Sequence, residues 1–302
     1  MRWLDEYGAL FTYKYLNHRF VTYKMEKTYF LKSAKQGDCI DFYVTNLKFD
    51  KISVNFDLVA KINSYKPAKE IINTNMTFVA INVEAERPER LNPMLFELDE
   101  FEEFIYQKVK SVMCTDETIF HNINHIDDML SQLRMLKATM NQNEYKKLYI
   151  ATCYHDIIHI ADNENNEEES IKLLQRDLGK LLSEQDLSDI SNMILCTKSN
   201  IDYEEIKKYK NADLLHDLDM LSFIDYETMK TNDVKIRSEH DNITMEVFLK
   251  RKITYYKRLL ETGVFVSSKY KKYNNIANEN ISQYIEELKT MIKEWKSAEN
   301  EV

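Results

Sequence analysis

Four of the chain's seven histidines fall in two short stretches, "FHNINHIDDML" (120–130) and "CYHDIIHIADNENNEEES" (153–170). His121 and His125 stand one helical turn apart, as do His155 and His159, and Asp156 adjoins His155. A lone helical histidine is most often a surface or core residue, so the pairing is what marks these as ligand candidates. Imidazole and carboxylate suit zinc, manganese, iron or magnesium, and a site without cysteine fits the hydrolytic uses of those metals. Two geometries are open. In one, His155 and His159 are the pair of a zincin helix with Asp156 in place of its glutamate, although aspartate is a methylene short of the reach to water. In the other, only His155 and Asp156 ligate from this stretch, distant helices supply the rest, and His159 is structural.

Residues so placed need helices to hold them. From Phe96 onward apolar positions recur every three or four residues, as in "FEEFIYQKVKSVM", "IKLLQRDLGKLL", "ISNMILCT" and "ISQYIEELKTMIKEW". The first third reads differently. It holds all three prolines (Pro67, Pro88, Pro93) and the β-branched, aromatic segments "IDFYVTNL", "ISVNFDLVA" and "MTFVAINV", which predict an antiparallel sheet. Ahead of them, Trp3, Leu4, Tyr7, Leu10 and Phe11 form a helical apolar stripe. The reading is α+β, divided near Pro93 into residues 1–93 and 94–302, with Asn163 to Glu169 a charge-rich insertion between two helices.

Composition excludes several classes. A net charge of -9 over 302 residues argues against a nucleic-acid polymer as partner. Four scattered cysteines without CxxC spacing suggest neither a zinc ribbon nor a disulfide framework. No stretch reaches the ~18 consecutive apolar residues of a membrane span, and no basic region followed by an apolar run opens the chain. The expected compartment is the cytoplasm, with no membrane partner.

The order of "NHIDDML", "YHD", "NEEES" and "DLDML" resembles the HD superfamily of metal-dependent phosphohydrolases, with further matches in "ILCTK", "KIRSEH" and "ANENI" over roughly residues 96–290. The HD dipeptide alone is weak, since the chain has three. What the resemblance implies is an all-α HD domain in which His125, His155, Asp156 and Asp219 bind a divalent ion (manganese, zinc, iron or magnesium). His121 would lie beside it to meet a phosphate or leaving group, and Glu167 and Glu168 would hold a second metal or a water. Asn200 stands where the family often has a histidine. The late aspartate has two candidates: the stripe of Leu214, Leu218 and Leu221 puts Asp217 nearer the buried face, whereas the family spacing selects Asp219. The reaction implied is hydrolysis of a phosphomonoester or phosphodiester of a small molecule, a nucleotide among the candidates, with Lys198 and Arg237 as phosphate contacts.

The N-terminal third resembles the hotdog-fold acyl-CoA hydrolases, through "WLDEYGAL" on the central helix, "FVT", "FLKSAKQGD" and "TFVAIN". The resemblance implies an antiparallel sheet around that helix, an acyl-CoA substrate, a homo-oligomer, and Asp5 as the carboxylate that activates water or attacks the thioester. An ordinary acid favoured by the helix dipole is the alternative for Asp5. The sequence departs from that pattern at Ser33, Asp50 and Asn82, and the first strand and glycine-rich turn have no counterpart. Either the reading frame begins upstream of Met1, the favoured reading, or a partner covers the bare edge. The leading expectation is a two-domain hydrolase, and its rival is an inactive hotdog module that oligomerises or binds a ligand for one active HD domain.

Overall fold

The computed structural model describes residues 2–16, 19–63, 68–82, 87–89, 91, 93–95, 98–113, 120–240 and 242–299. The chain is α+β. It forms two compact units, Met1–Cys114 with Lys172–Leu187, and Thr115–Ile171 with Ser188–Val302.

The first unit starts with α1 (Arg2–Leu16), followed by β1 (Phe20–Met25), β2 (Tyr29–Phe30), β3 (Ile40–Phe49), β4 (Ser53–Ile62), β5 (Lys69–Asn82) and β6 (Arg87–Pro88). The strands run antiparallel in the order β1-β5-β4-β3, and β2 and β6 also pair with β5. Period-two burial is clear on β4, where Val54, Phe56, Leu58, Ala60 and Ile62 all point inward. The apolar stripe expected of α1 is buried only in part, fully at Leu4 and half at Phe11. Trp3, Tyr7 and Leu10 are exposed, and the buried positions are Leu4, Gly8 and Thr12. The reason is close approach: a Cβ on Gly8 would stand 2.7 Å from the Phe78 ring on β5.

The helix α2 (Leu98–Met113) belongs with this sheet rather than with the helices after it. It buries Phe101, Phe104, Ile105 and Val109, and the Phe104 ring lies 4.4 Å from that of Phe49 on β3. Lys108, also buried, donates to the Leu47 carbonyl and pairs with Asp177 at 3.3 Å. Its burial lowers the ammonium pKa, against the pull of Asp177.

The second unit is helical: α3 (Ile123–Arg134), α4 (Gln142–Tyr154), the start of α5 (Asn166–Leu178), most of α6 (Glu184–Leu195), α7 (Tyr203–Ile206), α8 (Ala212–Asp219), α9 (Tyr226–Glu239), α10 (Met245–Thr262) and α11 (Asn274–Glu299). Asparagines 122 and 141 cap α3 and α4 with side-chain oxygens that accept from backbone amides. Helix α4 is buried from Tyr145 to Tyr154, which makes it the core rod of the unit. Helices α3, α4 and α8 pack on one another.

Candidate metal centre

That packing brings one donor from the first turn of α3, two from the end of α4 and one from the end of α8 into a single cluster. His125 Nε2 lies 3.1 Å from Asp219 Oδ1 and 3.9 Å from Asp156 Oδ2. His155 Nε2 lies 3.1 Å from Asp156 Oδ2 and 3.8 Å from Asp219 Oδ1. All four donor atoms fall within 4.8 Å of one another. Donors about 2.1 Å from a common ion stand about 3.0 to 3.4 Å apart at octahedral or tetrahedral angles, so these separations need little closing.

Two further observations test whether the residues suit a cation. His155 is fully buried, and its Nδ1 lies 2.9 Å from the Thr152 carbonyl one turn back. A proton donated there turns the Nε2 lone pair toward the carboxylates, the second-sphere contact that metal-bound histidines commonly make. Both His125 Nε2 and His155 Nε2 are buried with no hydrogen-bond partner, a cost that a bound ion removes. The donor set fits a divalent metal.

The electrostatics agree with the geometry. Burial raises the Asp156 and Asp219 carboxyls, but the adjacent histidines outweigh it and hold both well below the usual carboxylate range. Burial lowers His155, and the two carboxylates outweigh that in turn, leaving the imidazole well above its ordinary value. Without a cation the cluster therefore keeps a proton on His155.

A second group, His121, His159 and Glu239, also has donor atoms within 4.8 Å. It does not form a chelate. The His121 and His159 rings stack at 3.4 Å with planes 11° apart, so their in-plane lone pairs run nearly parallel and cannot converge on one ion. Glu239 instead anchors His121: Oε2 lies 2.6 Å from His121 Nδ1, and Oε1 accepts from the amides of Phe120 and His121 at 2.6 and 3.1 Å. Burial raises the Glu239 carboxyl, the His121 hydrogen bond lowers it more, and the outcome is about 2. Burial and then His121 bring His159 down to about 4. His159 thus packs as a neutral ring against His121.

The other expected residues divide. Glu167 lines a cavity beside the cluster, its carboxyl raised by burial. Glu168 is bonded to the Lys198 ammonium. Asp217 is fully buried and accepts from the amides of Val266 and Ser267, both at 2.8 Å, so its carboxylate braces the 264–267 segment while that of Asp219 faces the histidines. Arg237 donates to the carbonyls of His240 and Ile243, closing the turn after α9, and lines neither cavity at the cluster. The insertion of 163–169 is a short turn, with Asn166 bonded to both the amide and the carbonyl of Ile160, leading into α5.

Two cavities meet at Asp156 and Asp219. One, about 270 Å³, is polar and is lined by Lys198, Tyr203, Arg258 and Glu167. The other, about 350 Å³, is largely apolar, with walls that include Phe120, Phe223, Ile236, Phe248 and Tyr256. Glu239, Arg258 and the residues of the apolar chamber were not legible as site residues. For Glu239 a signal existed, since "KIRSEH" was already part of the resemblance.

In the first unit, Asp5 is exposed and accepts from the Thr22 hydroxyl at 2.6 Å. It does not line the apolar groove of about 440 Å³ between α1, α2 and β3 that Tyr7, Phe11, Phe42 and Leu47 border.

No protein-family model and no curated protein matches the chain. Among solved structures, a hexameric thioesterase from Yersinia pestis is similar at 24% identity and a TM-score of 0.27, over 30% of this chain and 74% of that one. An acyl-CoA hydrolase from Staphylococcus aureus in complex with coenzyme A aligns at 22% identity and 0.27, over 30% and 55% of the two chains. A hexameric broad-specificity acyl-coenzyme A thioesterase aligns at 21% and 0.29, over 35% and 72%. These neighbours cover the N-terminal part of the chain.

Proposed function

We propose that the helical unit is a metal-dependent phosphohydrolase centred on His125, His155, Asp156 and Asp219. The observation that carries the reading is the convergence of four donors from three helices, two of them buried imidazole nitrogens without a hydrogen-bond partner. A divalent ion bound there would supply charge neutralisation at phosphoryl oxygens and acidify a water. The chain's own groups do the rest. Thr152 holds the His155 tautomer, and Glu239 holds His121 through Nδ1, at a position bordering both cavities. From there His121 can pass a proton to the leaving oxygen. Arg258 offers positive charge to a phosphate in the polar cavity, whereas the Lys198 ammonium there is paired with Glu168. Elemental analysis of purified protein tests the reading: parental protein should carry stoichiometric divalent metal, Asp156→Ala should carry none, and full occupancy in Asp156→Ala would overturn it. A screen of phosphomonoesters with added manganese then tests the reaction.

For the sheet unit, the resemblance in "WLDEYGAL" and the apolar groove support acyl-CoA as ligand, with self-association through this unit. The exposed position of Asp5, away from that groove, favours binding without hydrolysis over an active thioesterase. Turnover of short and medium acyl-CoA by the full chain decides between the two.

A further inference from the structure

The apolar chamber that opens onto Asp156 and Asp219 has charged groups that are already spent on one another. Away from the metal end, the charged residues in its lining are Lys252, Asp233 and Arg251. Lys252 Nζ lies 2.7 Å from Asp233 Oδ1, with both side chains largely buried. The hydroxyls of Tyr256 and Tyr284 are bonded to the same carboxylate, and the rings of Phe248, Tyr255 and Tyr256 stand 5.7, 5.9 and 5.8 Å from the ammonium. Arg251 is paired with Asp162 at 2.7 Å, and Asp162 also accepts from Asn242 at 2.9 Å. Each cation is thus matched by a carboxylate, and each carboxylate has further donors. Ser199 is shared with the polar cavity, and Ser222 and Asn232 with a groove that His125 borders, so these uncharged polar groups stand at the rims of the chamber. A polar group entering the chamber would lose its hydration and gain little in exchange.

Apolar side chains make up most of what remains, among them Phe120, Met220, Phe223, Met229, Ile236 and Phe248. At about 350 Å³ the chamber has room for about a dozen non-hydrogen atoms, taking the ~30 Å³ that each water occupies in the liquid. The phosphate has a place of its own. In the polar cavity Arg258 has its described hydrogen bond to the Ser199 carbonyl, leaving positive charge for an anion there. Asp156 and Asp219 border both spaces, so a phosphoryl group held at the metal centre has the polar cavity on one side and the apolar chamber on the other. We infer that the chamber is a leaving-group subsite for a hydrocarbon chain, and that the substrate class is a phosphomonoester of an aliphatic alcohol of about six to ten carbons rather than a sugar or nucleotide ester. This rests on the phosphohydrolase reading of the metal centre. In the reaction, water adds to phosphorus and gives up a proton, the bond from phosphorus to the alcohol oxygen breaks, and that oxygen takes a proton, giving the free alcohol and inorganic phosphate.

The probes are butyl, hexyl and octyl phosphate, with ribose 5-phosphate and adenosine 5′-monophosphate as polar counterparts, on manganese-loaded full-length protein. The ratio kcat/KM should rise about fourfold per methylene from butyl to octyl, as burial of each in an apolar site implies, and octyl phosphate should exceed both polar esters by about tenfold or more. Ile236→Gln, which sets an amide in the wall, should flatten that series, and Ile236→Phe, which narrows the chamber, should make it level off at hexyl phosphate. Metal content should match the parent in both variants. Calorimetric titration of 1-octanol should show saturable binding to the parent that Ile236→Gln removes. Such binding without hydrolysis of any ester would overturn the phosphohydrolase reading and leave the subsite standing. Hydrolysis that is indifferent to chain length, or that favours the polar esters, would overturn the subsite and leave the reaction standing. Neither hydrolysis nor octanol binding would overturn both.

Discussion

The two units carry their candidate chemistry in opposite ways. In the helical unit, two half-buried carboxylates are gathered around two imidazole nitrogens that are buried with no partner. In the sheet unit, Asp5 is exposed and satisfied by a threonine hydroxyl. Burial without satisfaction is what makes a cluster informative, because the fold bears a cost that only a ligand relieves. An exposed acid at a helix start costs nothing and is stabilised by the helix dipole, so it identifies no chemistry.

The largest effect that would sharpen this contrast is metal loss. Asp156→Ala and His155→Ala should abolish metal binding, remove phosphatase activity by about a thousandfold or more, and erase the rise in Tm that added manganese gives the parent. Atomic absorption, phosphate release and differential scanning fluorimetry read the three outcomes. Retained metal in either variant would reduce the helical cluster to the status of Asp5.

Next in size is the separation of two neighbouring aspartates. Asp217→Ala strips two buried amides of their acceptor and should destabilise the protein by about 3 kcal/mol, while Asp219→Ala removes a ligand and should cost little in the metal-free state. Urea denaturation of both variants, with and without metal, measures it. Equal destabilisation would blur the division between bracing and ligating roles.

Acid should act on the helical unit in two ways. His155 sits well above its ordinary pKa in the metal-free cluster, so a metal must displace its proton, and affinity should fall steadily as pH drops through neutrality. Titration calorimetry in two buffers of different ionisation enthalpy counts that proton. Glu239 has its folded pKa depressed to about 2 from 4.5. It therefore stabilises the fold fully above pH 4.5, and that contribution disappears as pH falls toward 2. Glu239→Gln should flatten the stability profile between those limits.

The sequence exposed the two units unequally. The residues that meet in the helical cluster, His125, His155, Asp156 and Asp219, were named through the HD resemblance, with the imidazoles at helical spacing pointing to two of the stretches. Arg237 was misleading: a charge near a site in sequence spends its donors on two carbonyls, and nothing in spacing reveals that. The pair of Asp233 and Lys252, 2.7 Å apart in the wall of the apolar cavity, was invisible, since a buried ion pair looks in sequence like any helical surface. On α1 the apolar stripe marked only part of the buried face, Leu4 and the half-buried Phe11, because Gly8 and Thr12 are also buried there and their smallness carries no hydrophobic signal. Helix α2 reads as the first of a helical series, and the ring contact of Phe104 with Phe49 and the Lys108 bond to the Leu47 carbonyl attach it to the sheet.

Gly8→Ala tests that close approach. The added methyl would meet the Phe78 ring at 2.7 Å and the Met76 side chain at 3.2 Å, both fully buried, so the helix must lift or the ring must turn. A loss of about 1 to 3 kcal/mol is expected, despite alanine's better helix propensity. Metal content should be untouched. A stabilised Gly8→Ala protein would mean that α1 is held less tightly than its buried positions indicate.

The smallest expected effect is at Asp5. The change Asp5→Asn is nearly isosteric, keeps an oxygen to accept from Thr22 and removes only charge from an exposed site, so stability should shift by less than about 0.5 kcal/mol. Metal content and phosphatase activity should not move. The informative measurement is acyl-CoA hydrolysis by the parent and variant side by side. If the sheet unit only binds its ligand, neither protein turns over acyl-CoA and both bind it equally, because the groove bordered by Tyr7, Phe42 and Leu47 does not include Asp5. A parent that hydrolyses acyl-CoA and an Asp5→Asn protein that does not would restore the catalytic carboxylate, and the exposed acid would then need a ligand or a second copy of the chain to enclose it.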